Sequence, residues 1–191
     1  MLNELSKNIR FDNASKGFDP TEGGVNRYIL LTISEICEAQ NELRDGYAPN
    51  YIYYSAKVGT AVVVYAPHEK ADIPPGIIPK PEGFAVEIAD ALIRLLDIAG
   101  KFEHDLENSA EVIQGVDFED ASIDDWLLGV VNIISDMFNY DPNHTDFWYA
   151  LKQGMATLFF LCEKHEIVVM DVIQEKLAYN RTRPPKHGRK F

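Results

Sequence analysis

Between about Phe84 and Leu106 the apolar residues Ile88, Leu92, Leu95, Leu96 and Ala99 recur at the spacing of one helical face. Beside them Glu87, Asp90, Arg94 and Asp97, spaced 3, 4 and 3, form a polar stripe along the same helix. A helix so patterned has to bury one side against other helices, and its stripe then borders a helix-packed core. A second stretch, from about Val25 to Leu43, carries Tyr28, Leu31, Ile36, Ala39 and Leu43 at helical spacing and stops before Asp45-Gly46, a C-terminal stop signal. It holds Glu35 and Glu38. Residues three apart share a helical face, so each helix presents an acidic pair, Glu35/Glu38 on one and Glu87/Asp90 on the other. Packed side by side, the two helices would aim four carboxylates at one place. Four anions in a bundle core require a counter-charge, and a hard divalent cation such as Mg²⁺ is the chemical match.

The spacing alone is a weak signal. With 30 acidic residues among 191, chance supplies about 5 pairs three apart, and pairs such as Glu42/Asp45, Asp117/Asp120 and Glu163/Glu166 also occur. What sets the first two apart is their place in the middle of long amphipathic helices.

At 191 residues and 46% apolar content the chain is expected to form a single domain spanning 1–191 with a real core. Its net charge of −12 argues against a nucleic-acid binder or a partner of anionic membranes. The charge is unevenly spread. Residues 176–191 hold six Lys and Arg and no acid, which leaves −18 on the remainder. That basic end reads either as a source of phosphate ligands or as a solvated tail. Cys37 and Cys162 lie in apolar helical runs without a CxxC pattern, so buried, reduced thiols are expected. The first ten residues lack a signal-peptide core and no apolar run reaches membrane-spanning length, so the expected location is cytoplasmic.

Elsewhere, Tyr51–Tyr54 and Thr60–Tyr65 read as short strands, and Pro74, Pro75, Pro79 and Pro81 as an irregular connector. Residues 47–83 thus form an insertion, a small hairpin or lid. Tyr51, Tyr53 and Tyr54 suit either an edge strand or stacking on a base. A third helix starts at Ser122, with Asp125 completing a capping box, and ends at Asp141-Pro142-Asn143. A fourth runs from Thr145 to near His165, and a fifth from Val169 to Tyr179, where the Arg-Pro-Pro tail cannot continue it. Trp126 and Trp148 fall on apolar stripes and are expected in the core. The fold class is therefore all-α, a multi-helix bundle with a small β-hairpin or irregular insertion between its first two core helices. A faint echo between 91–106 and 156–171 leaves open a degenerate second half within 107–165.

Rival chemistries lack their residues. A di-iron bundle needs Glu-x-x-His on two helices, and none of the five histidines has Glu three positions earlier. HExxH, paired zinc cysteines and a Walker loop are absent from the sequence. What remains is carboxylates, a metal and basic residues, which suits hydrolysis of a phosphoanhydride.

Three segments together, Ser34–Arg44 with its Glu-x-x-Glu, Lys80–Asp97 with its Glu-x-x-Asp, and the Lys-Leu-Ala-Tyr-Asn-Arg-Thr-Arg-Pro-Pro-Lys-His-Gly-Arg-Lys run at 176–190, resemble the MazG-like branch of the all-α nucleoside triphosphate pyrophosphohydrolases. Dimeric dUTPases belong to the same superfamily. The resemblance covers somewhat under half the chain and does not extend to 47–79 or 107–165. It implies that Glu35, Glu38, Glu87 and Asp90 hold Mg²⁺, with Mn²⁺ as a substitute, and that a nucleotide is cut between its α- and β-phosphates. On that reading a carboxylate at the edge of the cluster, Glu38 or Glu42, is expected to orient or deprotonate the attacking water. The resemblance also implies substrate contacts at Arg94, Lys176, Tyr179, Asn180, Arg183, Lys186 and His187, with 176–191 as a strap over a nucleoside triphosphate, and a homodimer. The alternative is a non-catalytic nucleotide-binding or interaction protein that keeps the bundle. Arg94 also reads simply as an intrahelical partner of Asp90 or Asp97.

Overall fold

The computed structural model describes residues 1–107 and 121–185. The chain is mostly helical, with a three-stranded antiparallel sheet inserted between its second and third helices. In order come α1 (Leu2–Ser15), α2 (Val25–Arg44), β1 (Tyr53–Val58), β2 (Ala61–Tyr65), β3 (Lys80–Glu82), α3 (Phe84–Lys101), α4 (Ile123–Asp136), α5 (Thr145–Lys164) and α6 (Val169–Thr182).

α3 is the axis of the molecule. From Phe84 to Ala99 only Asp90 and Arg94 are not buried, the pattern of a helix enclosed by others. α1, α2, α5 and α6 all pack on it, and α4 pairs with α5 while also touching α2. The α4–α5 pair therefore covers faces of α2 and α3 from within one chain. Trp126, Ile134, Phe147, Leu151 and Leu158 fill the space between these layers, and Trp148 is buried beside them, so both tryptophans belong to the core as their stripes predict.

α1 was not expected from the sequence. Its docking face is half polar: Leu5 and Ile9 are buried together with Ser6, and Arg10 and Asn13 reach α3 through hydrogen bonds, so no apolar run announces it. Close approach replaces apolar bulk. Ser6 Oγ donates to the Leu96 carbonyl at 2.8 Å. A Cβ on Gly100 would stand 2.6 Å from the Ser6 carbonyl oxygen, so glycine lets the two backbones meet.

The insertion is a sheet in the order β2-β1-β3, one strand more than the expected hairpin. Val58 pairs with Ala61 across the two-residue turn Gly59-Thr60, where Gly59 takes the positive φ such a turn requires. β3 pairs Lys80 with Ser55 and Glu82 with Tyr53. Pro81, which cannot donate to a ladder, sits on this short edge strand, where that costs least. Gly83 (φ 118°) then turns the chain straight into α3, and a Cβ there would lie 2.4 Å from the Tyr51 carbonyl oxygen. The sheet is tied to α6 as well: Tyr54 Oη donates to Glu175 Oε1 at 3.0 Å, and Lys70 binds both.

Several boundaries differ from expectation. The helix expected to reach Leu106 stops at Lys101, where the chain turns through Glu103 in the left-handed region. The helix expected to run to Asp141 stops at Asp136 and continues as a 3-10 turn, Met137–Asn139. Its start is as predicted, with Ser122 and Asp125 closing a reciprocal capping box. Cys162 is buried but Cys37 is exposed, because Cys37 lies on the side of α2 opposite the buried Thr32–Ile36–Ala39 row. Among the described residues no helix is long and apolar enough to cross a membrane.

Candidate active site

α2 and α3 lie against each other in opposite directions. Glu35 and Glu38 of α2 face Glu87 of α3, Glu35 also meets Arg94 about two turns further along α3, and Tyr28 lies in the field of Asp97. Between the two polar stripes runs a cavity of about 240 Å³, closed at its sides by the 13–27 segment, by β3 and by α6.

At one end one carboxylate oxygen from each of Glu35, Glu38 and Glu87 lies within 4.8 Å of the other two. Glu35 and Glu87 are buried and Glu38 is exposed. Burial pushes the Glu87 carboxyl up to about 8, against the pull of Lys176 and with a further push from Asp90 and Glu35. Burial raises Glu35 too, partly offset by Arg94. Arg94 Nε donates to Glu35 Oε1 at 2.7 Å, and its Nη2 makes a second contact to the same oxygen. Arg94 is thus an interhelical partner of Glu35 rather than of Asp90 or Asp97 on its own helix.

Asp90 stands apart from the cluster. Its Oδ2 accepts from Lys176 Nζ of α6 at 2.7 Å, and Lys176 is only 2% exposed. Burial alone would lower the Lys176 ammonium, but Asp90 and Glu87 reverse this and carry it above the usual lysine value. The expected set of four carboxylates is therefore three clustered oxygens plus a fourth carboxylate held by a buried lysine. Three hard oxygen donors, two of them on buried carboxyls that burial holds above their usual range, have the donor chemistry that a hard divalent cation takes.

The remaining expected residues divide. Asn180 and Arg183 line the cavity, and Asn180 Oδ1 is buried without a partner among the described residues. Tyr179 is not in the lining; its ring lies under the Arg183 guanidinium, 5.8 Å away. Glu42 is not in the lining either, being a turn beyond Glu38. Its Oε1 accepts from Tyr53 Oη at 3.2 Å, its Oε2 is buried without a partner among the described residues, and burial raises its carboxyl above the usual range. Tyr53 stacks with Tyr47 and Tyr51, with centroids 4.8 Å and 6.4 Å away, so these rings serve the insertion rather than the cavity. Lys186 and His187 lie outside the described residues.

Some site residues gave no sequence signal. Lys80, set by β3 and paired with Glu82, points to the acidic end, and Arg27 lines the wall. At the far end Asp97, fully buried, accepts from Arg10 Nη1 at 2.8 Å and from Asn13 Nδ2 at 2.9 Å. Burial raises its carboxyl to about 6 although Arg10 and Asn13 favour the charged form. Asp97 was visible as the last member of the α3 stripe. Arg10 and Asn13 were not, since α1 itself went unseen.

No protein-family model, curated protein or solved structure matches the chain.

Proposed function

We propose that this protein is a Mg²⁺-dependent nucleoside triphosphate pyrophosphohydrolase of the MazG-like type, cutting a nucleotide between its α- and β-phosphates to give a monophosphate and pyrophosphate. The observation that carries this reading is the convergence, in one cavity, of the Glu35/Glu38/Glu87 cluster with the two interhelical cations Arg94 and Lys176. Seven acids and five cations line that cavity, so a bare polyphosphate would enter against net negative charge. A ligand that arrives with a divalent metal would not. Glu35, Glu38 and Glu87 would hold the metal, which supplies charge neutralisation on the phosphates and a more acidic water.

The chain's own residues do the rest. Lys176 and Arg94, each already fixed by a carboxylate, offer preorganised donors to the phosphate oxygens and to the charge that develops as the anhydride breaks. Lys80 and Arg183 add cations at the rim. Glu38, the exposed member of the cluster, orients the attacking water and takes its proton. Glu42 supports it indirectly by fixing Tyr53 and the sheet. At about 240 Å³ the cavity is just below the usual size of a small-molecule site, which suits a ligand that is only partly enclosed.

Incubation of the purified chain with each dNTP and Mg²⁺, with chromatographic detection of monophosphate and pyrophosphate, tests the reading. Release of both products from at least one nucleotide is expected. A thermal shift with nucleotide and Mg²⁺ but no product would make the protein a binder instead, and absence of both refutes the proposal.

A further inference from the structure

Residues 102–151 hold twelve Asp and Glu and neither Lys nor Arg. This half of the chain carries a second cavity, an open dish of about 420 Å³ between α4 and α5, which is within the usual size of a small-molecule site. It shares no residue with the cavity between α2 and α3. Its lining includes no Lys, Arg or His, so nothing there would neutralise an anion. One wall is the last turn of α4 with the 3-10 turn that extends it. Neither turn has a basic residue at its end, so the chain leaves the negative pole of the helix uncompensated.

The hydrogen bonds on this wall leave acceptors behind. Asn139 Nδ2 donates to Asp136 Oδ1 at 2.8 Å, as it must, because a carboxylate only accepts. Asn139 Oδ1 and Asp136 Oδ2 accept nothing among the described residues. Ser135 Oγ uses its single hydrogen on the Asn132 carbonyl at 2.9 Å, which leaves its lone pairs. Residues three and four apart share a helical face, so these groups sit together. Across from them α5 sets Tyr149, 49% exposed, beside Gln153, while Ile133 and Ala150 add apolar surface. An ammonium carries three donors and no acceptor. It also favours the face of an aromatic ring, and its methylene stem suits apolar side chains.

We infer that this dish binds a small aliphatic amine. Asp136, Asn139 and Ser135 take the ammonium hydrogens, and Tyr149 lies against the charge and the stem. The inference is independent of the nucleotide reading, since the two cavities have no residue in common. A net charge of −12 draws cations to the whole surface, so a saturable response confined to these residues is what marks a site.

Titration of the ¹⁵N-labelled full chain with putrescine, followed by amide shifts, tests this. Saturable shifts are expected at Asn132, Asn139 and Tyr149. Butylammonium should reproduce them, and 1-butanol, with the same stem and no charge, should not. Asp136→Asn should weaken binding about 10-fold or more, as loss of a hydrogen-bonded charge does, and Tyr149→Ala about 2–5-fold. Both positions are exposed, and thermal melting shows that the variants are folded. Glu163→Gln, on α5 outside the dish, should change nothing.

No saturable shift at these residues, equal shifts with 1-butanol, or a folded Asp136→Asn that binds normally would overturn the site. Glu163→Gln weakening putrescine as much as Asp136→Asn would reduce the effect to diffuse attraction and overturn it too. Nα-acetyl-lysine amide bound more tightly than putrescine would overturn the free amine as occupant, in favour of a lysine side chain.

Discussion

Lys176→Met is the most informative single change in the site. Methionine keeps the buried stem and removes only the ammonium, leaving Asp90 unpaired and Glu87 without the cation that most favours its charged form. The side chains of the pair are 3% and 18% exposed at 2.7 Å. Breaking a buried ion pair by deleting one partner costs about 3–5 kcal/mol, and the partial exposure of Asp90 places this one near 3. Against a total stability of about 5–15 kcal/mol that is a large fraction. For a chain of this size, each kcal/mol moves Tm by about 2–4 °C, so a fall of about 6–12 °C is expected. Urea denaturation of the four members of a Lys176→Met, Asp90→Asn cycle measures the coupling, since Asp90→Asn removes the orphaned charge and should recover part of the loss. A Lys176→Met loss below about 1 kcal/mol, or additivity within about 0.5 kcal/mol, would refute the claim that this pair holds α6 to α3.

Glu38→Gln keeps shape and removes a clustered charge, so pyrophosphate release should fall by about 100-fold or more, while Glu163→Gln, on α5 outside the cavity, should leave it unchanged. Asp97 predicts a pH effect. Its folded carboxyl titrates near 6 against 3.8 in the open chain, so between those values the folded state binds more protons and stability falls as pH rises, by at most about 3 kcal/mol. Arg10, Asn13, Arg94, Asp19 and Tyr28 surround it, and comparison with Asp97→Asn in denaturation curves from pH 4 to 7 isolates its share; a constant difference across that range would refute the assignment. Gly83→Ala meets a backbone carbonyl at 2.4 Å and a φ of 118°, and should destabilise severely. Gly154→Ala meets side chains rather than backbone, Ile134 Cγ1 at 2.9 Å and Ile133 Cγ2 at 3.8 Å, and since Ile134 is fully buried the substitution should destabilise by about 1–3 kcal/mol, less than Gly83→Ala. Because α4 and α5 cover faces of α2 and α3 within one chain, light scattering should give 21.6 kDa, and twice that mass would support the homodimer that the family resemblance implies.

The helices from α2 onward were legible because burial drives them: Leu92, Leu95, Leu96 and Ala99 on α3, or Leu151, Leu158 and Leu161 on α5, repeat at the period that burial imposes. Ser122 and Asp125 marked a helix start because capping is a local matter between residues three apart. The juxtaposition of Glu35, Glu38 and Glu87 was also legible in outline, since spacing fixes which side chains share a face. Which charges neutralise one another was not. Arg94 goes to Glu35 across 59 residues, Lys176 goes to Asp90 across 86, and Arg10 with Asn13 goes to Asp97. Intrahelical spacing offered Arg94 nearer partners of equal chemistry. Only the antiparallel approach of α2 to α3, with α1 let in against Gly100 and α6 laid across Asp90, decides among them. Periodicity is a property of one segment, whereas an ion pair between segments depends on the distance at which their backbones pack.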